Sequence, residues 1–409
     1  SEIASCLVGS EMCIRDRMFQ LTTWAGDPMT LEHNEQRIRN EPLVEITQVK
    51  GTSETHPALS LNDEWAGFEI DPYVAGGGPL TQGKPSGGYV RDALKNGLQL
   101  AGQGLGNPFK FGFIGSSDTH TGAGSFVEES YFAKVGLLDA TPGLRGSIPI
   151  NDDDVKTLGL AEADASSFYT APDGRRYLQR ASSVYGASGL AAVWAEENTR
   201  EAIYDAFLRK ETFATSGPRI RVRFFAGSDL DASMLDKPGG MSRAYAQGVS
   251  MGGDLLVESG AAPSFLVWAV RDALSAPLQR VQIIKGWLED GKTHERVFDV
   301  GCSDGLTVDP VTHRCPDNGA KVNLADCAIS ADRGVEELKT HWRDPEFNAK
   351  QQGFYYARVL ENPTCRWSTW DALRAGERPR PDLASTIQER AWSSPIWFGG
   401  SDNSEERLD

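Results

Sequence analysis

The stretch Gly115-Ser116-Ser117-Asp118-Thr119-His120-Thr121-Gly122 holds the residues best suited to chemistry. Asp118 and His120 are two positions apart, and on an extended strand end such residues point to one side. A carboxylate and an imidazole aimed at one point suit Zn²⁺, Mn²⁺ or Fe²⁺. The preceding FKFGFIG reads as a buried strand, and βα barrels place their chemistry at the C-terminal ends of strands. Two ligands are too few, because a catalytic zinc takes three from the protein and a metal cluster takes more. The histidines are His33, His56, His120, His294, His313 and His341, with no HxH or HExxH pair among them. His56 and Glu54 follow a second strand candidate and form a second tier of possible ligands. Other hydrolytic signatures are missing. There is no GxSxG elbow and no P-loop, and neighbours within GSSDTH cannot adopt a Ser-His-Asp relay.

The elements that would position these residues are readable from periodicity. Residues 28–39 read as a charged helix, and 42–51 alternate apolar and polar as a strand does. Residues 52–85 form a long loop with a Gly-Gly-Gly run at 76–78. Val90, Ala93, Leu94, Leu98 and Ala101 recur at helical spacing and stop in glycines. A strand over 109–120 follows. Residues 136–176 are polar and irregular, and a helix capped by Asn198 or Thr199 runs to Lys210. After about Phe225 the texture becomes short strands separated by turns, as in an antiparallel sandwich. The expected fold is therefore α/β. A partial, distorted βα barrel over 18–225 is followed by a β-rich, sandwich-like region over 226–409. Residues 1–17 show no periodicity and read as a non-native, adapter-like string.

Bulk properties exclude some functions. A formal charge of -16 disfavours nucleic acid, and no apolar run reaches the roughly 18 residues of a membrane span. Cys302, Cys315 and Cys327 crowd a loop-like stretch without metal-site spacing, so one disulfide within this cluster is expected. Asp304, Asp309 and Asp317 in the same stretch could ligate calcium, though a solvated loop is the default.

Four long stretches carry a family resemblance: FGFIGSSDTHTG, NEPLVEITQVKG, GLAAVWAEENTREAIYDAFLRKETFATSGPRI and YYARVLENPTCRWSTWDALRAG. Together they resemble domain of unknown function family 3604, which is related to the PHP (polymerase and histidinol phosphatase) metallohydrolases. The resemblance covers nearly all of residues 18–399. It implies a distorted βα barrel with divalent metal ions (Zn, Mn or Fe) at its mouth, Asp118 and His120 as the final ligand motif, and Ser117 or Thr119 as residues that orient those ligands. The KETFATSGPRI stretch resembles the part that closes such barrels. The implied activity is metal-assisted hydrolysis of a small-molecule phosphate or related ester, with the ions lowering the pKa of a bridging water. Earlier family motifs, a His-x-His strand end and isolated His and Glu ligands, have no counterpart here. The expectation is a truncated copy, inactive as it stands, whose intact parent is periplasmic or secreted, although this chain shows no export signal. The competing expectation is a non-catalytic binding protein whose β-rich region recognises a glycan or protein partner.

Overall fold

The computed structural model describes residues 18–23, 25–73, 82–157, 159–160, 167–257 and 261–399. The adapter-like string and the Gly-Gly-Gly run lie outside these residues. Helix α1 (Leu31–Asn40) starts at Thr30, whose hydroxyl accepts from the His33 N–H at 3.2 Å. Strand β1 (Leu43–Gln48) folds back into β2 (Gly51–Thr52). Helix α2 (Val90–Gly102) buries Val90, Ala93, Leu94 and Leu98, the stripe its spacing dictates. It leads to β3 (Gly112–Gly115), which pairs parallel to β1. Register Thr47↔Gly115 ends the two strands at one level, so the loops that leave them share an edge. Phe109, Phe111 and Phe113 pack with the α2 stripe and with Ile46 in one core.

The strand expected over 109–120 is much shorter than its apolar pattern. The Phe113 N–H donates to Ser394 Oγ at 2.8 Å instead of to another strand. Beyond Gly115 the chain turns away, with Asp118 at φ 49.

The rest of the chain is β-rich. Its elements are β4 (Leu190–Val193), α3 (Arg200–Leu208), β5 (Thr212–Thr215), β6 (Arg221–Gly227), β7 (Ser264–Val270), β8 (Leu278–Glu289), β9 (Lys292–Cys302), β10 (Glu337–Arg343), β11 (Gln352–Glu361), α4 (Trp367–Arg374), β12 (Arg390–Ser393) and β13 (Ile396–Phe398). An eight-stranded sheet runs from Asp254–Leu255 through β13, β11, β12, β5 and β4, with β8 on β11 and β9 on β8. A four-stranded antiparallel sheet has the order β10, β7, β6, Val249–Ser250. The two share a core in which Phe224, Phe265 and Val267 meet Val281, Ile283, Tyr355 and Ala357. The boundary expected near Phe225 falls inside β6, and the eight-stranded sheet takes strands from both sides of it.

The described strands form no closed barrel. The β1–β3 sheet instead abuts β4 and β5 through glycine. A Cβ on Gly115 would sit 2.7 Å from the Leu190 carbonyl oxygen and 2.9 Å from that of Thr215. Only a residue without a side chain allows that approach. Disulfides Cys302–Cys315 and Cys327–Cys365 tie the loops between β9 and α4.

Candidate functional site

The loop after β3 is fixed to the end of β1. The Ser116 N–H donates to the Thr47 carbonyl at 3.0 Å, and the Val49 N–H donates to the Ser117 carbonyl at 3.3 Å. Because Asp118 is in the left-handed region, a conformation Asp tolerates better than most residues, the extended alternation assumed for Asp118 and His120 does not apply. The Asp118 carboxylate meets Lys134 Nζ at 2.9 Å. His120 is exposed, and its Nδ1 lies 2.9 Å from the carbonyl oxygen of Asp118 itself. Its N–H donates to the Lys134 carbonyl at 2.7 Å, which holds the Lys134 segment against the loop. Thr119 Oγ1 donates to Ser117 Oγ at 3.2 Å, so these two hydroxyls brace the loop.

Two lysines converge here. Lys134 is buried, with its ammonium 5.2 Å from the Tyr185 ring centre. Lys50, also buried, follows β1, donates to Ser53 Oγ at 2.9 Å and acts on the Asp118 carboxyl. Burial pushes the Asp118 carboxyl above its ordinary value, with His120, Gln48 and Lys50 pulling the other way. Burial pushes the Lys134 ammonium down to about 8, against Asp139. The 2.9 Å contact between Asp118 and Lys134 opposes both shifts by favouring the charged pair. One donor beside them, Ser188 Oγ, lacks a hydrogen-bond partner although its residue is only 2% exposed, whereas the Gln48 side chain is engaged by the Asp118 carboxylate. Ser188 Oγ and Thr119 Oγ1 flank the open side of Gly124, both within 4 Å of where its Cβ would be. A buried donor left unsatisfied costs about 1–3 kcal/mol, so such a group beside two cations suits an oxygen of an anionic ligand.

The donor set does not suit a metal as well. Asp118 and His120 supply two ligands, an ammonium occupies the carboxylate, and no group of three or more His, Cys, Asp or Glu side chains converges among the described residues. These residues therefore do not make a catalytic metal centre by themselves. Glu54 goes elsewhere. It is 1% exposed, and its oxygens accept from Tyr356 Oη at 2.7 Å, Trp392 Nε1 at 2.7 Å, Arg91 and Arg358. Asp63 joins the same network through Arg358 at 2.7 Å. His56 packs on Tyr89 at 5.4 Å, and its Nδ1 accepts from the Ala58 N–H at 3.1 Å. The aspartates considered for calcium instead cap turns. Asp304 accepts from Asn318 and the Gly334 N–H, Asp309 from the Val311 and Thr312 N–H groups, and Asp317 from the Gly319 N–H.

A chamber not foreseen from the sequence adjoins the same strand end. Gln48, Glu69, Glu128, Gly186 and Ser216 are among the residues lining a cavity with room for about one water. Glu69 is held by Arg366, whose Nη2 lies 3.0 Å from its carboxylate. The Glu128 oxygens accept from the Ala187 N–H at 2.8 Å and the Trp367 N–H at 2.7 Å. Burial, and then the neighbouring Glu69, push Glu128 up to about 7. Glu389, which accepts from Ser216 Oγ, is likewise raised, by burial first and then by Glu128.

Comparison with known proteins gives a match at the level of the family alone. Searches against curated proteins and against solved structures both return no match. The family match spans residues 14–400, nearly the whole chain and every residue of the site just described. The chain belongs to the family described as "Protein of unknown function (DUF3604)".

Proposed function

We propose that the loop of residues 116–122, with Lys50, Lys134, Gln48 and Ser188, is the substrate-facing edge of a hydrolase acting on phosphate or related esters. One observation carries the reading. Two buried lysines and the buried, unsatisfied Ser188 hydroxyl gather around a carboxylate–imidazole loop where two parallel strands end. In α/β architectures such strand ends are where ligands bind. The lysines neutralise the ester oxyanion and hold it in place, and Ser188 Oγ donates to one of its oxygens. We include in the proposal a relationship to PHP metallohydrolases, in which Asp118 and His120 contribute two ligands of a metal site that needs more. No catalytic step is assigned to the metal, because the described residues do not complete its site.

The test measures ester hydrolysis and divalent-ion content together. Purified protein is assayed on aryl phosphate, aryl sulfate and carboxylate esters with Zn²⁺, Mn²⁺ or Fe²⁺ added. Asp118→Ala, His120→Ala and Lys134→Met are run in parallel. Unlike the inactive truncated copy expected from the sequence, the reading proposed here expects turnover that all three variants lose, and metal uptake that Asp118→Ala and His120→Ala abolish. Metal at background with every ester untouched would favour a non-catalytic binding protein instead.

A further inference from the structure

The segment that delivers Lys134 to the site also carries apolar side chains out into water. Asp139, 1% exposed, accepts from three successive N–H groups: Lys134 at 2.8 Å, Val135 at 3.0 Å and Gly136 at 2.9 Å. The turn over residues 134–139 is therefore built, with a buried carboxylate inside it. It lies on the site loop, since a Cβ on Gly136 would come within 3.2 Å of Thr121 Cγ2. Yet Leu137 is 92% exposed and Leu138 55%, while Phe132, two residues before the lysine, is 43% exposed. A single exposed leucine needs no explanation. Three large apolar side chains within seven residues, on a segment anchored beside two cations, are a different case.

We infer that the ligand of this site is amphipathic: an oxyanion head at Lys134 and Lys50, and an alkyl or aryl group lying against Phe132, Leu137 and Leu138. The inference rests on the anionic-ester reading above and narrows its substrate class. Size argues for a small organic group over a protein partner. Three side chains fall far short of the roughly 800 Å² per partner that a stable protein interface buries, but they match a short alkyl chain or one aromatic ring. Continuity argues the same way, because the turn that holds the cation is the turn that holds the leucines.

Calorimetric titration with inorganic phosphate, hexyl phosphate and hexyl sulfate tests this on the full chain, Lys134→Met and the double variant Leu137→Ser/Leu138→Ser. Both leucines are exposed, so the double variant keeps the fold. The wild-type chain is expected to bind hexyl phosphate at least about tenfold more tightly than phosphate, a modest part of what burying a six-carbon chain can yield. The double variant should lose that gain and keep phosphate affinity within about twofold. Lys134→Met should weaken all three ligands. The sulfate arm shows which head group the site takes. A hexyl chain that adds nothing in the wild type, or a gain that survives the double variant, overturns the amphipathic ligand while leaving the anion site standing. Failure of every anion to bind overturns both. A change of oligomeric state in the double variant, with ligand affinities unmoved, would reassign the rim to a protein contact.

Discussion

Glu128→Gln should change how stability depends on pH. Glu128 is buried beside Glu69 and is raised from 4.5 to about 7. Below about pH 4.5 both the folded and the unfolded chain hold the proton, and the carboxyl costs nothing. Between about 4.5 and 7 the unfolded chain gives up its proton first, so stability falls as pH rises, by up to about 1.4 kcal/mol per pH unit. Above about 7 the folded chain ionises too and the loss levels off near 3 kcal/mol. The amide cannot ionise, so the variant lacks this component. It also presents an NH₂ to one of the two backbone N–H groups that Glu128 accepts from, those of Ala187 and Trp367, at a cost of about 1–3 kcal/mol at every pH. Urea unfolding at pH 5 and pH 8 separates the two effects. The variant is expected to be less stable than the wild type at pH 5, and the deficit should shrink or reverse at pH 8. Other buried acids, Glu361 among them, tilt both proteins alike, so the difference between the two curves carries the result. An equal deficit at both pH values would refute a carboxyl held protonated in the chamber.

Three further outcomes follow from packing and charge. Arg358→Met should cost about 3–5 kcal/mol in urea unfolding, because it removes a guanidinium that Glu54 and Asp63, both buried, share and leaves the two acids to Arg91. Replacing the Cys327–Cys365 pair by serines should cost about 4 kcal/mol and the Cys302–Cys315 pair about 3, the order set by loops of 38 and 13 residues; a calorimetric melt under oxidising conditions checks the ranking. Gly115→Ala should lose about 1–3 kcal/mol and anion binding together, since its Cβ would meet the backbone of Leu190 and Thr215. Gly122→Ala, which meets nothing within 4 Å, should stay within about 0.5 kcal/mol of the wild type.

What could be read from the sequence was local. The helical spacing of Val90, Ala93, Leu94 and Leu98 and the alternation after Pro42 locate α2 and β1 within a few residues, because each stripe faces one core. The loop after β3 is legible for the same reason, since GSSDTH follows an apolar run and must leave the core where that run stops. The geometry within the loop was not readable. The apolar pattern predicts an extended strand through His120, but β3 pairs with β1 over Gly112–Gly115, Phe113 sends its N–H to Ser394 Oγ, and the chain turns after Gly115. Glu54 misled for a related reason. Its loop position suggested a ligand, yet its partners Tyr356, Arg358 and Trp392 lie 302, 304 and 338 residues away, and no local pattern announces a contact made by folding one half of the chain onto the other. The pairing of Cys327 with Cys365 escaped notice in the same way.

Lys134 is the residue for which a signal was present. It sits in Tyr-Phe-Ala-Lys-Val-Gly-Leu-Leu, the one cation in an otherwise apolar octet. Such a run has two outcomes. If it were buried whole, the ammonium would need a carboxylate or would shed its proton. If it were exposed whole, its large apolar residues would be left in water. The structure divides it, with the ammonium drawn inward to Asp118 and the leucines left outside. Asp139 enforces the division by holding the N–H groups of Lys134, Val135 and Gly136. That arrangement sets a cation and an apolar rim side by side at one strand end, and an amphipathic anion has the matching shape. A substitution that frees the turn, Asp139→Ala, should therefore weaken head-group and tail recognition together, whereas loss of the leucines alone should weaken only the tail.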